Sequence, residues 1–243
     1  MNSRGIMNPI IDDIRTRLQA LGTEEVRLAT RRFFKEDILT YGLKAPEVKR
    51  IAREAFRQIK GQPEPTVLGL CEELWRSGYL EEAGLACEWS FAIRGRFSPD
   101  DFATFERWVS RYVNNWASCD TLCNHTVGAF LDAFPQYLQE LSRWAVSPNR
   151  WMRRAAAVSL IVPAREGRYL EEVFQIADIL LVDPDDMVLK GYGWMLKAAA
   201  GPHLDEVFAW LMDRRARMPR TSLRYAIEKM PPDMKTRAMS RAD

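Results

Sequence analysis

Asp183-Pro184-Asp185-Asp186-Met187-Val188-Leu189-Lys190 lies in the second half of a 243-residue chain and opens a helical pattern directly after a proline. The same arrangement begins at Ser147-Pro148 and again at Met218-Pro219. The prolines are 36 residues apart (184 − 148) and then 35 (219 − 184). A period of about 35 to 45 residues in helical sequence points to stacked helical pairs, as in HEAT-type solenoids. An irregular helical bundle is the alternative, because the copies share little beyond this pattern.

The rest of the chain reads the same way. Apolar residues recur at spacings of three and four in Ile10, Ile14, Leu18, Leu21, in Val67, Leu70, Leu74, and in Phe102, Phe105, Val109, Val113. Ser98-Pro99-Asp100-Asp101 has an N-cap residue, a proline at the first helical position and acids in the first turn. Thr23-Glu24-Glu25 and Ala45-Pro46-Glu47 also read as helix starts. There is no alternating strand pattern and no Asn-Gly or Asp-Gly hairpin turn. The expectation is an all-α, HEAT-like helical-repeat domain over residues 1–243, with 1–8 as a flexible tail.

A composition of 47% hydrophobic and 28% charged residues is that of a soluble globular chain. A net charge of +2 neither demands nor excludes nucleic acid, so the distribution of charge must decide. Four cysteines, Cys71, Cys87, Cys119 and Cys123, are too few for a disulfide framework and read as reduced thiols in the cytoplasm. No apolar run reaches the roughly 18 to 20 residues that cross a bilayer. No basic region followed by a long apolar stretch marks a signal peptide.

The period aligns particular side chains. Arg154 corresponds to Lys190, 36 later, and to Arg224, a further 34 later; counting back 34 gives Asp120. Equivalent positions in a solenoid run along one curved face, here a concave basic one. Trp116 stands one turn before Asp120 and Trp194 one turn after Lys190, so both indoles belong to that face. One carboxylate then sits among cations and flat aromatics. Arg150, Arg153 and Arg154 form one basic cluster. Arg214-Arg215-Ala216-Arg217-Met218-Pro219-Arg220, continuing to Arg224, holds five arginines and no acid. Spaced Arg and Lys suit a phosphate backbone, and indoles among them suit sugars or bases. The plain alternative is that the arginines are solvated faces and the tryptophans core residues.

These residues carry a resemblance. The chain, from about the segment 33–50 to Met230, resembles the HEAT-like-repeat DNA alkylation repair glycosylases, the AlkD family. Tyr41-Gly42-Leu43-Lys44-Ala45-Pro46-Glu47 is similar to the family's N-terminal turn, and Glu73-Leu74-Trp75 with Glu81-Glu82-Ala83 to its next helices. Trp116-x-x-x-Asp120 resembles its active-site tryptophan and aspartate. Trp151-Met152-Arg153-Arg154-Ala155-Ala156 resembles the segment of its active-site arginine, Arg154 here. Lys190-Gly191-Tyr192-Gly193-Trp194 resembles that of its second tryptophan, Trp194 here.

The resemblance implies hydrolysis of the N-glycosidic bond of cationic N3-alkyladenine or N7-alkylguanine in duplex DNA, by a monomer and with no cofactor. Asp120 would stabilise the oxocarbenium-like sugar and orient water. Trp116 and Trp194 would hold sugar and backbone, and Arg154 a phosphate. Phe33, Lys44, Arg150, Arg153, Lys190, Arg220 and Arg224 would touch the duplex. Two positions depart from the well-understood branch. Ala117 stands where an acid is usual, and Cys119 where an aliphatic residue is usual. Some relatives bind DNA structures without cutting, which is the alternative; a protein-interaction scaffold of helical repeats is the third reading.

Other chemistry fits less well. Cys119, Cys123 and His125 cluster, but His125 falls about 200° around the helix from Cys123, so no metal is expected. Gly191-x-Gly193 lacks the strand and third glycine of a dinucleotide fingerprint and reads as close approach of a helix or of DNA. Two histidines without a surrounding motif make no Ser-His-Asp arrangement.

Overall fold

The structure, a computed structural model, describes residues 8–240. Among them the regular structure is helical, with Leu39 and Tyr79 joined by an isolated bridge. The expected tail lies outside the described residues except for Asn8. That residue belongs to the first helix start, because its side chain accepts the Ile10 N–H and so satisfies an otherwise orphan donor. No described helix is long and apolar enough to cross a membrane. The chain divides into two compact units, one ending at Thr121 and the other beginning at Leu122.

The first unit contains α1 (Pro9–Leu21), α2 (Glu24–Phe33), α3 (Ala45–Ile59), α4 (Glu64–Arg76), α5 (Leu80–Ala92), α6 (Asp101–Arg111) and α7 (Trp116–Thr121). Helix α5 packs against α3, α4 and α7, and α3 also meets α1. Ile11, Ile14, Leu74, Trp89 and Trp108 are fully buried, and the Trp89 Nε1–H donates to the Ala52 carbonyl at 2.9 Å. Thr23 caps α2 through the Val26 N–H, and Pro46 sits in the first turn of α3, as their sequences require. At Ser98 the cap is inverted. The regular helix starts at Asp101, whose carboxylate accepts the Ser98 N–H at 2.7 Å. Helix α2 buries none of its residues.

The second unit begins with a π-helical stretch, Leu122–Val127. It continues through α8 (Gly128–Ala133), α9 (Glu140–Ala145), α10 (Arg150–Val158), α11 (Ile161–Arg165), α12 (Leu170–Ile179), α13 (Asp186–Ala199), α14 (Leu204–Arg214), α15 (Arg220–Ile227) and α16 (Pro232–Met239). Helix α13 packs against both α10 and α15, while α9 pairs with α10 and α12 with α13. The repeated prolines therefore mark three helices of one layer: Pro148, Pro184 and Pro219 each shortly precede α10, α13 and α15. The layer is tight. A Cβ on Gly193 would lie 2.7 Å from the Tyr225 Cβ and 2.8 Å from the Ser222 carbonyl oxygen, so only glycine lets α13 and α15 approach this closely. Beside it, the buried Tyr192 hydroxyl donates to the Leu181 carbonyl at 2.8 Å and lies 2.6 Å from the Ser222 hydroxyl.

Candidate functional site

Four residues share one local position. Asp120, Arg154, Lys190 and Arg224 each stand four residues after the first residue of their helices: Trp116, Arg150, Asp186 and Arg220. This is the register that the proline spacing implies. Their surroundings differ. Asp120 and Arg154 are buried, at 9% and 4% exposure, Lys190 is half-buried, and Arg224 is exposed.

In the first unit, helix α7 carries Trp116 and Asp120. Asn115 starts this helix, its side chain accepting the Ser118 N–H at 2.9 Å. Trp116 is half-buried under two phenylalanines. Phe34 stacks on it at 5.4 Å with an interplanar angle of 24°, and Phe33 meets it edge-on at 5.7 Å and 62°. Phe33, expected at the duplex, is 71% exposed. Phe34, half-buried, was not singled out by the sequence reading; the Phe33-Phe34 doublet closing an amphipathic helix was the available signal.

The same unit holds a groove of about 570 Å³ whose walls include Val26, Phe33, Phe34, Leu43, Lys44 and Ala117. Lys44 is exposed on its rim and, as the residue preceding α3, sits at the end of an unusually held turn. The buried Glu81 carboxylate accepts the Tyr41, Gly42 and Leu43 N–H groups at 3.0, 2.9 and 3.1 Å, and the Thr40 hydroxyl at 2.6 Å. Gly42 adopts φ +89°, and a Cβ there would lie 2.3 Å from the Thr23 carbonyl oxygen. Next to Glu81, the fully buried Glu82 takes a two-pronged contact from Arg15 and the Tyr41 hydroxyl at 2.7 Å. Burial, and then the bond to Glu82, push the Tyr41 hydroxyl well above its ordinary range. Two acids on an apolar helix were the sequence signal for this clamp.

In the second unit, the Arg154 guanidinium donates to the Met187 carbonyl in the first turn of α13. A Cβ on Gly191 would lie 3.3 Å from both the Cγ and Nη1 of Arg154, so this glycine makes room for the arginine. Gly193 does the same for α15, which gives both glycines of the G-x-G a packing role. Lys190 pairs with Asp186 at 2.6 Å on its own helix. Trp194, one turn on, is half-buried.

Of the other arginines expected at DNA, Arg150, Arg153 and Arg220 are engaged within the protein, while Arg224 is exposed. Arg153 pairs with Asp183 at 2.6 Å and donates to the Ser147 carbonyl; the bond to Asp183 raises its pKa. Arg150 pairs with Asp185 at 3.1 Å and lies over the Trp151 ring at 4.4 Å. Arg220 donates to the Met239 carbonyl at 3.2 Å, and Arg215 to the Arg237 carbonyl at 2.7 Å, so both hold the end of α16. Arg214 bonds Asp178. Much of the acid-free arginine run is thus matched by groups distant in sequence. Cys123 is fully buried while His125 is exposed, which separates them as ligands.

One contrast sets the candidate residues apart. Of the eight tryptophans, Trp75, Trp89, Trp108, Trp144, Trp151 and Trp210 are buried; Trp116 and Trp194 are not. The two indoles that the register selects are the two with surface to offer.

Residues 14–230 match the family model described as "DNA alkylation repair enzyme". Among solved structures, the chain is similar to one described as "Predicted DNA alkylation repair enzyme from Enterococcus faecalis". The two share 15% identity with a TM-score of 0.78 over 87% of this chain and 97% of that one. At that identity the likeness establishes a shared fold. No curated protein matches the sequence.

Proposed function

The chain belongs to the DNA alkylation repair enzyme family, and from that premise we propose that it hydrolyses the N-glycosidic bond of cationic alkylated purines in duplex DNA. The observation that carries this reading is the pair of tryptophans left unburied, Trp116 one turn from the buried carboxylate of Asp120 and Trp194 one turn from Lys190.

The chemistry follows from the substrate's charge. N3- or N7-alkylation makes the purine a cation, so the electrons of the C1′–N bond leave with the base and neutralise it, and no strong general acid is needed. The sugar becomes oxocarbenium-like. Asp120 opposes that charge, and its buried setting strengthens the attraction relative to water. Water held by the same carboxylate adds at C1′ and gives up a proton, leaving an abasic site. One carboxylate suffices, unlike the pair used by sugar hydrolases. The indole faces, with partial negative charge, complement the cationic sugar. Arg154, its guanidinium held at the Met187 carbonyl, supplies a fixed positive charge for a phosphate.

The test is release of base from duplex DNA containing N7-methylguanine. The wild type is expected to release it. Asp120→Asn is expected to lose about 10²- to 10³-fold in rate while keeping its affinity for DNA. No release by either protein, with tight and salt-sensitive binding, would replace this reading with that of a non-cutting DNA-binding member of the family.

A further inference from the structure

We propose that Phe34 is a positioning residue that fixes the plane of the Trp116 indole and decides which of its faces is open. The proposal rests on the glycosylase reading for its effect on rate, but the geometry beneath it stands apart from that reading. Phe34 lies nearly parallel to Trp116, 24° between planes and 5.4 Å between centroids, so one indole face is covered by a ring. Phe33 stands at 85° to Phe34 and at 62° to Trp116, closing an edge of the same cluster. Trp116 nevertheless remains half-exposed. What is left to a sugar is therefore the part of the indole turned away from Phe34.

Phe34 is itself held. It ends α2 with an extended backbone, φ −100° and ψ 149°, and so turns off the helix toward the segment that follows. That segment is anchored by the buried Ile38 and by the bonds from Thr40, Tyr41, Gly42 and Leu43 to Glu81. Arg27, on α2 itself, donates to the Thr40 and Tyr41 carbonyls and ties that helix to the same anchor. The anchored turn held by Glu81 on α5 thus leads back, over a few residues, to Phe34 and the indole. Phe34 also walls the apolar groove, whose lining does not include Trp116. Removing its ring would let the indole rotate into that space, taking the sugar-holding face out of line with Asp120. Misplacement of this kind costs turnover more than binding.

The experiment compares Phe34→Ala, Phe34→Leu and Phe34→Tyr in base release from N7-methylguanine duplex. Leucine keeps bulk and loses the flat ring; tyrosine keeps the ring. The Ala and Leu variants are expected to lower kcat about tenfold, the size of a lost aromatic stack, with KM within about twofold. Tyrosine is expected to restore kcat. In parallel, the near-ultraviolet circular dichroism of Trp116 is isolated by subtracting Trp116→Phe, in native and in Phe34→Leu backgrounds. The indole signal is expected to change with leucine. An unchanged signal overturns the proposal, as does a Leu variant with native kcat. If the wild type releases no base, the glycosylase reading fails, and the spectral comparison alone decides whether Phe34 sets the indole.

Discussion

Helices α2 and α13 have opposite surroundings. In the first unit α2 buries none of its residues; its Val26, Ala29 and Phe33 line an open groove. It is held near its N-terminal end by polar contacts: Thr23 N–H to the Gly42 carbonyl, and Arg27 to the Thr40 and Tyr41 carbonyls. In the second unit α13 buries Val188, Leu189, Tyr192, Met195 and Leu196, and its two glycines admit Arg154 and α15. One region is hung from buried carboxylates, the other is close-packed. The first leaves an aromatic cluster and a groove at the surface; the second fixes a buried arginine in a rigid wall.

The comparison can be broken most severely at Glu81. Glu81→Ala strands three backbone N–H groups and a hydroxyl, and should cost about 3–5 kcal/mol by denaturant unfolding. A loss under about 1 kcal/mol would mean that the turn is not hung from this carboxylate. Gly193→Ala tests the packed region. With a Cβ at 2.7 and 2.8 Å from its neighbours, α13 and α15 must separate, for about 1–3 kcal/mol.

Gly84→Ala is the counterpart in the first unit. Its Cβ would meet only the Val48 Cγ1, at an ordinary 3.5 Å, beside the groove. The gain in helix propensity should stabilise by about 0.5–1 kcal/mol. Opposite signs for the two glycines would sharpen the contrast, and equal signs would remove it.

The smallest effect is expected from Glu64, at the start of α4. Burial, and then the neighbouring Asp101, push its carboxyl up to about 7. The folded state therefore binds this proton more tightly than the unfolded one. The associated stability is present below pH about 4.5 and is lost as pH rises through about 7. Glu64→Gln should flatten that part of the pH–stability curve; an unaltered slope would show that the Glu64 carboxyl is not raised by folding.

The fold was legible because helices advertise themselves locally. The cap at Thr23, prolines at helix starts and apolar spacing all act within a few residues. The candidate site was legible in part for the same reason. Trp116 and Asp120 share a helix, and the period that selects Arg154 and Lys190 is written in Pro148 and Pro184. The tally of DNA-facing cations was not. Arg153 finds Asp183, Arg150 finds Asp185 and Arg214 finds Asp178, each about a repeat away. Arginines look free in sequence when their acids arrive from a neighbouring helical pair, later in the chain for Arg150 and Arg153 and earlier for Arg214.

By itself the sequence determined that the chain is all-helical, where several of its helices begin, and which residues occupy the repeated position four residues into α7, α10, α13 and α15. Those are consequences of backbone capping and side-chain period, and both are local. The tertiary structure decided which cations are spent on carboxylates, which two tryptophans keep surface, that Phe34 covers one of them, and that a turn is suspended from Glu81. Each of those depends on atoms brought together from 30 or more residues apart, as with Arg153 and Asp183 or Tyr41 and Glu81. No local pattern records such distances.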